Sequence, residues 1–284
     1  MGSTMKKLNI NYMYLEITRR CTLECIHCMR GNRQNLDMSE EILDNALKDV
    51  THIHELDLGG GEPLLVSQKI ESIINKIRTY GIRVDKISFT TNGTVLTPSV
   101  VTVIKALREI APLNVRLSHD KFHLLELYIK KLVDRVDKNN EIFTEMLGYS
   151  PKEKYFVLDD GVISRTGRAK ALTQADIDAI NQWIKPTYYH LSYESPNNLD
   201  VVKMYDWDKE VVQVCGSVVI SATGYLTQMD REYEMEDKGP IWGINIQDKS
   251  LLDALIQYEN EYRSFLSKGE YRAPLEGTDG KLKK

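Results

Sequence analysis

Long apolar runs are missing from this sequence. No stretch approaches the roughly 18 apolar residues of a membrane span, and no signal peptide precedes the first strand-like segment. A cytoplasmic protein without a membrane partner is therefore expected. A broad basic charge is missing as well: Lys plus Arg number 37 against 41 Asp plus Glu, a net charge of −4. Such a chain lacks the field on which non-specific nucleic-acid binding depends, so nucleic acid is not an expected partner. Cysteine is scarce, with 4 residues in 284, too few for a disulfide scaffold. Low-complexity sequence, internal repeats and long flexible linkers are also absent. With 42% hydrophobic and 27% charged residues the composition is that of an ordinary globular chain. A length of 284 residues corresponds to about two domains or one α/β barrel.

What is present begins with an alternation of elements. Strand-like segments occur at Asn9–Ile17, Ile53–Leu58, Val84–Thr91, Leu113–Ser118, Tyr155–Leu158 and Tyr188–Tyr193. Helical patterns separate them: Ser39–Val50 behind a Ser N-cap, Ser67–Tyr80 stopped by Gly81, and a helix opened by Thr97-Pro98 that runs to about Ile110. Two more cover Phe122–Leu147, with a break expected near Asn139-Asn140, and Thr173–Ile184. Strict β-α alternation predicts a parallel sheet covered by helices, either doubly wound or a complete or partial barrel. In a barrel, the chemistry belongs on the loops after the strands' C-terminal ends. The tail differs: Val211–Met229 reads as a hairpin turning at Thr223-Gly224, and Asp248–Lys268 as a final helix. Residues 1–8 read as a tag and a frayed start.

Three of the cysteines fall within eight residues, as Cys21-x3-Cys25-x2-Cys28, directly after the first strand. Spacings of four and three would place them on one face of a buried helix. The preceding Thr18-Arg19-Arg20 makes a poor buried face. A four-thiolate zinc site lacks its fourth thiol, and His27 sits too close to Cys28 to chelate the same ion well. Three thiolates suit a 4Fe–4S cluster whose fourth iron is left open.

Here the sequence resembles the radical S-adenosylmethionine (SAM) enzymes. Cys-x3-Cys-x2-Cys after the first strand is that family's signature. Leu58-Gly59-Gly60-Gly61-Glu62-Pro63 after the second strand resembles its Gly-Gly-Glu-Pro element. The resemblance covers roughly residues 10 to 195. It implies an α/β fold, a six-stranded partial (β/α) barrel, with a 4Fe–4S cluster and SAM as cofactors. It also implies that electron transfer to SAM yields a 5′-deoxyadenosyl radical that abstracts hydrogen from a substrate, with a reductant such as flavodoxin or ferredoxin as partner. The metal ligands would be Cys21, Cys25 and Cys28.

The resemblance extends to SAM. Gly60 and Gly61 would let backbone approach its methionyl part, and Glu62 would meet its amino group. His27, just before the third cysteine, corresponds to a position that lies against the adenine. Thr91 and Asn92 end the third strand, and Ser118 and Asp120 form a Ser-x-Asp element after the fourth; all are candidates for ribose or carboxylate contacts. Asp120 serves equally as a helix N-cap, and Asn92-Gly93 as a turn. Arg168, in a Gly-Arg-Ala element, or Arg165 could fork onto the SAM carboxylate or an acidic substrate. With Arg30 and Arg33, these would form a local basic mouth.

The region from Cys215-Gly216-Ser217 through Met229-Asp230 to Gly243-Ile244-Asn245 is similar to part of the SPASM or Twitch extension of peptide-modifying relatives. Where the pattern expects a second cysteine, Met229 stands, and a single thiolate cannot hold a cluster. We expect residues 9–195 to form the partial barrel and 196–284 a small, cluster-free α+β extension that closes the mouth or binds substrate. Cys215 reads as a buried apolar thiol, as a hydrogen-atom donor to a substrate radical, or as a ligand of a further cluster. The expected substrate is a peptide or protein side chain. The alternatives are a small metabolite or nucleoside, or a non-catalytic iron–sulfur or zinc protein.

Overall fold

In a computed structural model of the chain, the described residues are 7–118, 120–147, 162–164, 167–183, 190–192, 202–227, 233 and 243–267. Strand β1 (Lys7–Thr18) is followed by α1 (Glu40–Leu47), β2 (Val50–Gly60), α2 (Ser67–Tyr80), β3 (Arg83–Thr91), α3 (Pro98–Ile110) and β4 (Leu113–Leu117). Four parallel strands and three covering helices result. The helix limits have local causes. Ser39 Oγ accepts the Ile42 N–H at 3.1 Å, Thr97 caps α3 through Val100 N–H, and Gly81 leaves α2 in the left-handed region at φ 64°. Pro98 occupies the first position of α3, where its missing N–H costs nothing.

The main sheet runs in the order β4-β3-β2-β1-β8-β7, with β9 on β8, where β7 is Lys203–Tyr205, β8 Val211–Ile220 and β9 Leu226–Thr227. The predicted hairpin is therefore present, and its first strand is also a member of the main sheet. β8 lies parallel to β1, from Lys7 opposite Val211 to Leu15 opposite Ile220. Val218, Val219 and Ile220 are buried in succession, as in a strand covered on both faces. A short parallel pair, β5 (Val162–Ser164) and β6 (His190–Ser192), forms a second sheet. The Tyr155–Leu158 strand lies outside the described residues. Ile163 and Ser164, which follow that segment, lie within β5. The architecture is a mixed α/β fold with a parallel sheet and covering helices, consistent with the expected partial barrel.

One expected break is displaced. α4 (Lys121–Ile129) and α5 (Val133–Leu147) separate at Lys131, not at Asn139-Asn140. Lys131 takes φ 56°, with Leu132 N–H bonded to Leu127 O and Lys131 N–H to Tyr128 O, a Schellman-type ending. Asn139 and Asn140 sit buried inside α5, and Asn139 Nδ2 donates to Gly93 O at 2.7 Å. A polar pair read as a breaker thus anchors the helix to the β3–α3 turn. α6 (Gln174–Trp183) and α7 (Leu251–Ser267) complete the α-helices among the described residues. The core joins β1–β4 and β8 to α1, α2, α3 and α7 through Leu15, Leu56, Ile74, Ile104, Ile220 and Leu255.

Candidate functional site

The site forms at the C-terminal ends of β1 to β4, where parallel α/β folds place their ligands. The cysteine loop leaves β1 at Thr18 and is stitched to the end of β2 by backbone bonds. Gly61 N–H donates to Thr18 O and Glu62 N–H to Arg20 O, both at 2.8 Å. This contact explains the glycines. A Cβ on Gly60 would lie 1.9 Å from Thr18 O, and one on Gly61 2.2 Å from Arg20 O. Gly60 also holds φ 135°, a conformation that side chains disfavour.

Cys21, Cys25 and Cys28 all line one cavity of about 420 Å³, together with His27, Arg30, Gly60, Gly61, Asn92, Ser118, His123 and Arg168. Burial pushes the Cys21 thiol up to about 12, with the Glu62 carboxylate and the other two cysteines adding to the effect. A thiol in that setting ionises when a metal replaces its proton. Three cysteines gathered on one cavity are a donor set that fits an iron–sulfur cluster with one iron left for another ligand. Asn92 Nδ2 lies 3.6 Å from Cys21 Sγ.

Glu62 is fully buried and is not among the cavity-lining residues. Its carboxylate accepts Thr91 Oγ1–H at 2.8 Å, Asn92 N–H at 2.7 Å and Leu64 N–H at 3.2 Å. Burial raises it to about 7 against those three bonds. Glu62 and Thr91 therefore fix the ends of β2 and β3 against each other. Asn92 and Ser118 face the cavity.

Beside Cys25, His27 stacks on Phe122 with ring centroids 4.5 Å apart, and meets His123 edge-on at 5.0 Å. Asp120 caps α4 through Phe122 and His123 N–H and binds His123 Nδ1 at 2.5 Å, with His27 Nε2 at 3.6 Å. Burial lowers the His27 imidazole. Burial also opposes charge on His123, but the Asp120 carboxylate outweighs it and holds that imidazole well above its usual range. His27 Nδ1 is buried without a hydrogen-bond partner among the described residues. His27 itself is among the residues that line the cavity.

Arg168 lines the cavity, but its Nε donates to Cys25 O at 2.8 Å and its N–H to Cys28 O at 2.9 Å. Gly167 packs so close that a Cβ would lie 2.4 Å from Cys28 O. The Gly-Arg-Ala element is a clamp on the cysteine loop. Arg165, His119 and Met229 lie outside the described residues. Cys215 is exposed on β8, opposite Lys203, and does not line the cavity. Its reading as a buried thiol is corrected: it falls on the exposed position of a strand whose neighbours Val214 and Val218 take the buried ones.

The sequence reading missed Tyr14, Asp57 and Arg116, which line the cavity alongside the expected Arg30. Asp57, almost fully buried, binds Arg116 Nη2 at 2.5 Å and Tyr12 OH at 2.8 Å. Arg30 Nη2 donates to Tyr14 OH at 3.2 Å. Tyr12, Tyr14 and Glu16 alternate on β1, as do Glu55 and Asp57 on β2. Polar residues at every second position of otherwise apolar strands were the available signal.

Three cysteines gathered over the strand ends of a parallel α/β fold are a donor set for an iron–sulfur cluster. Residues 15–149 match the family model described as the radical SAM superfamily. That family uses a 4Fe–4S cluster and SAM. The chain is 37% identical over 86 residues to a probable GTP 3′,8-cyclase of Methanothermobacter marburgensis, covering 29% of this chain and 27% of that one. It is 37% identical over 93 residues to the GTP 3′,8-cyclase of Desulforamulus reducens, covering 30% and 28%. The chain thus spans under a third of the length of these curated relatives. A solved structure of polyhistidine-tagged anSMEcpe with bound AdoMet shares the fold, with a TM-score of 0.51 and 16% identity over 90% of this chain and 82% of that one.

Proposed function

We propose that this protein is a radical SAM enzyme that cleaves SAM reductively and removes hydrogen from a substrate carrying an anionic group. The observation that carries the reading is the convergence of Cys21, Cys25 and Cys28 on one cavity beside the glycine-rich end of β2. Cys21, Cys25 and Cys28 would hold the cluster. When bound, cluster and SAM together supply a carbon radical able to take hydrogen from an unactivated C–H bond.

The chain's own residues position and shield. Arg168 and Gly167 hold the loop that bears Cys25 and Cys28. Glu62 fixes the turn from which Asn92 reaches toward Cys21. His27, Asn92 and Ser118 supply a stacking face and polar groups for a nucleoside. Asp120 orients the His27–His123 pair through its bonds to both rings.

Substrate reading rests on charge. Arg19, Arg30, Arg33, Arg116 and Arg168 line the cavity, with Asp57 as its acidic counterpart, a lining suited to carboxylate or phosphate. This favours an anionic small molecule, in line with relatives named GTP 3′,8-cyclase. A peptide substrate is supported by the likeness of the tail to the SPASM or Twitch pattern. The test is anaerobic reconstitution with iron and sulfide. We expect cluster absorption and iron in the wild type, and loss of both in Cys25→Ala. Reduced protein given SAM and either GTP or acidic and neutral peptides then separates the substrates by which one gains a new product.

A further inference from the structure

A second group of ligands lies away from the cysteine loop. His52 and His54 stand two residues apart on β2, and Asp85 stands on the adjacent β3, where His52 pairs with Arg83 and Glu55 with Lys86. His52 Nε2 and His54 Nδ1 each lie 2.8 Å from the same atom, Asp85 Oδ2. The two rings are 4.1 Å apart, and the three ligand atoms lie within 4.8 Å of one another. Arg83 Nε binds the other oxygen, Oδ1, at 2.9 Å and so leaves Oδ2 aimed at the imidazoles.

We propose that His52, His54 and Asp85 form a second metal site, for a divalent cation of the Zn²⁺ class. Two imidazoles and one carboxylate are a donor set for Zn²⁺, and three protein ligands leave a position for water. Two hydrogen-bonded strands hold the ligands, so little ordering is needed on binding. Arg83 turns the carboxylate, as outer groups do around ligating residues. The Arg83 side chain is itself 71% exposed and free to swing away from an arriving cation. His54 precedes Gly60 by six residues of strand, about 20 Å, so the site is distinct from the cysteine cavity. Its effect would be to cross-link β2 and β3 near their N-terminal ends.

The test uses holoprotein whose three cysteines carry the reconstituted cluster, titrated with Zn²⁺ against a chromophoric chelator. We expect one equivalent of Zn²⁺ per chain, weakened more than about tenfold in both His54→Ala and Asp85→Asn, since even outer-shell losses cost about that much. His54 is half exposed, so its replacement preserves the fold, and circular dichroism checks both variants. Co²⁺ in place of Zn²⁺ should show ligand-field bands without sulfur-to-cobalt charge transfer. The proposal is overturned if no equivalent binds, if both variants bind as the wild type does, or if the cobalt spectrum reports sulfur ligation.

Discussion

The Glu62 carboxylate accepts the backbone N–H of Asn92 at 2.7 Å, joining the end of β2 to the end of β3 beneath the cysteine loop. Burial holds this acid near 7, above its ordinary 4.5. Between those two values the folded protein keeps a proton that the unfolded chain has released. Stability therefore falls as pH rises through that window and levels off above it. In cluster-free protein, the difference in melting temperature between wild type and Glu62→Gln should shift against the wild type from pH 5 to pH 8. A difference that stays flat with pH contradicts this account of Glu62.

Gly60→Ala places a methyl group 1.9 Å from Thr18 O, on backbone held at φ 135°. Strain and a clash with rigid backbone should cost about 3 kcal/mol or more. Chemical denaturation measures this, with Gly81→Ala as comparison, because a Cβ there meets nothing within 4 Å.

Much of this arrangement was legible in the sequence because its signals are local. Ser39, Gly81 and Thr97-Pro98 mark helix ends by chemistry that acts within one turn, and the cysteine spacing marks the loop. The polar cavity was less legible. Tyr14, Asp57 and Arg116 look like the wet face of half-exposed strands, and only their convergence on one cavity from three strands makes that face a lining. The clamp was hidden because Arg168 and Cys25 are 143 positions apart. The α4–α5 break was hidden because Lys131 carries no glycine-like mark for its positive φ.

Arg168→Gln removes the side-chain bond to Cys25 O while leaving every cysteine in place. We expect the reconstituted variant to lose iron to a chelator faster than wild type, by roughly tenfold if the lost bond is worth about 1.4 kcal/mol. Its far-ultraviolet circular dichroism should be unchanged. Equal iron-loss rates would show that the clamp is dispensable.

Cys215 is exposed and apart from the cavity. Cys215→Ser should therefore change SAM cleavage less than twofold and leave product yield intact. A variant that cleaves SAM but fails to complete product would restore Cys215 as a hydrogen donor.

The central claim is that the three-cysteine cavity cleaves SAM. The most direct measurement is 5′-deoxyadenosine, quantified by chromatography after reduced, reconstituted protein meets SAM without oxygen. The account predicts 5′-deoxyadenosine from wild type and none above background from Cys21→Ala, Cys25→Ala or Cys28→Ala. Wild-type protein with an intact cluster and demonstrated SAM binding that releases none would contradict it.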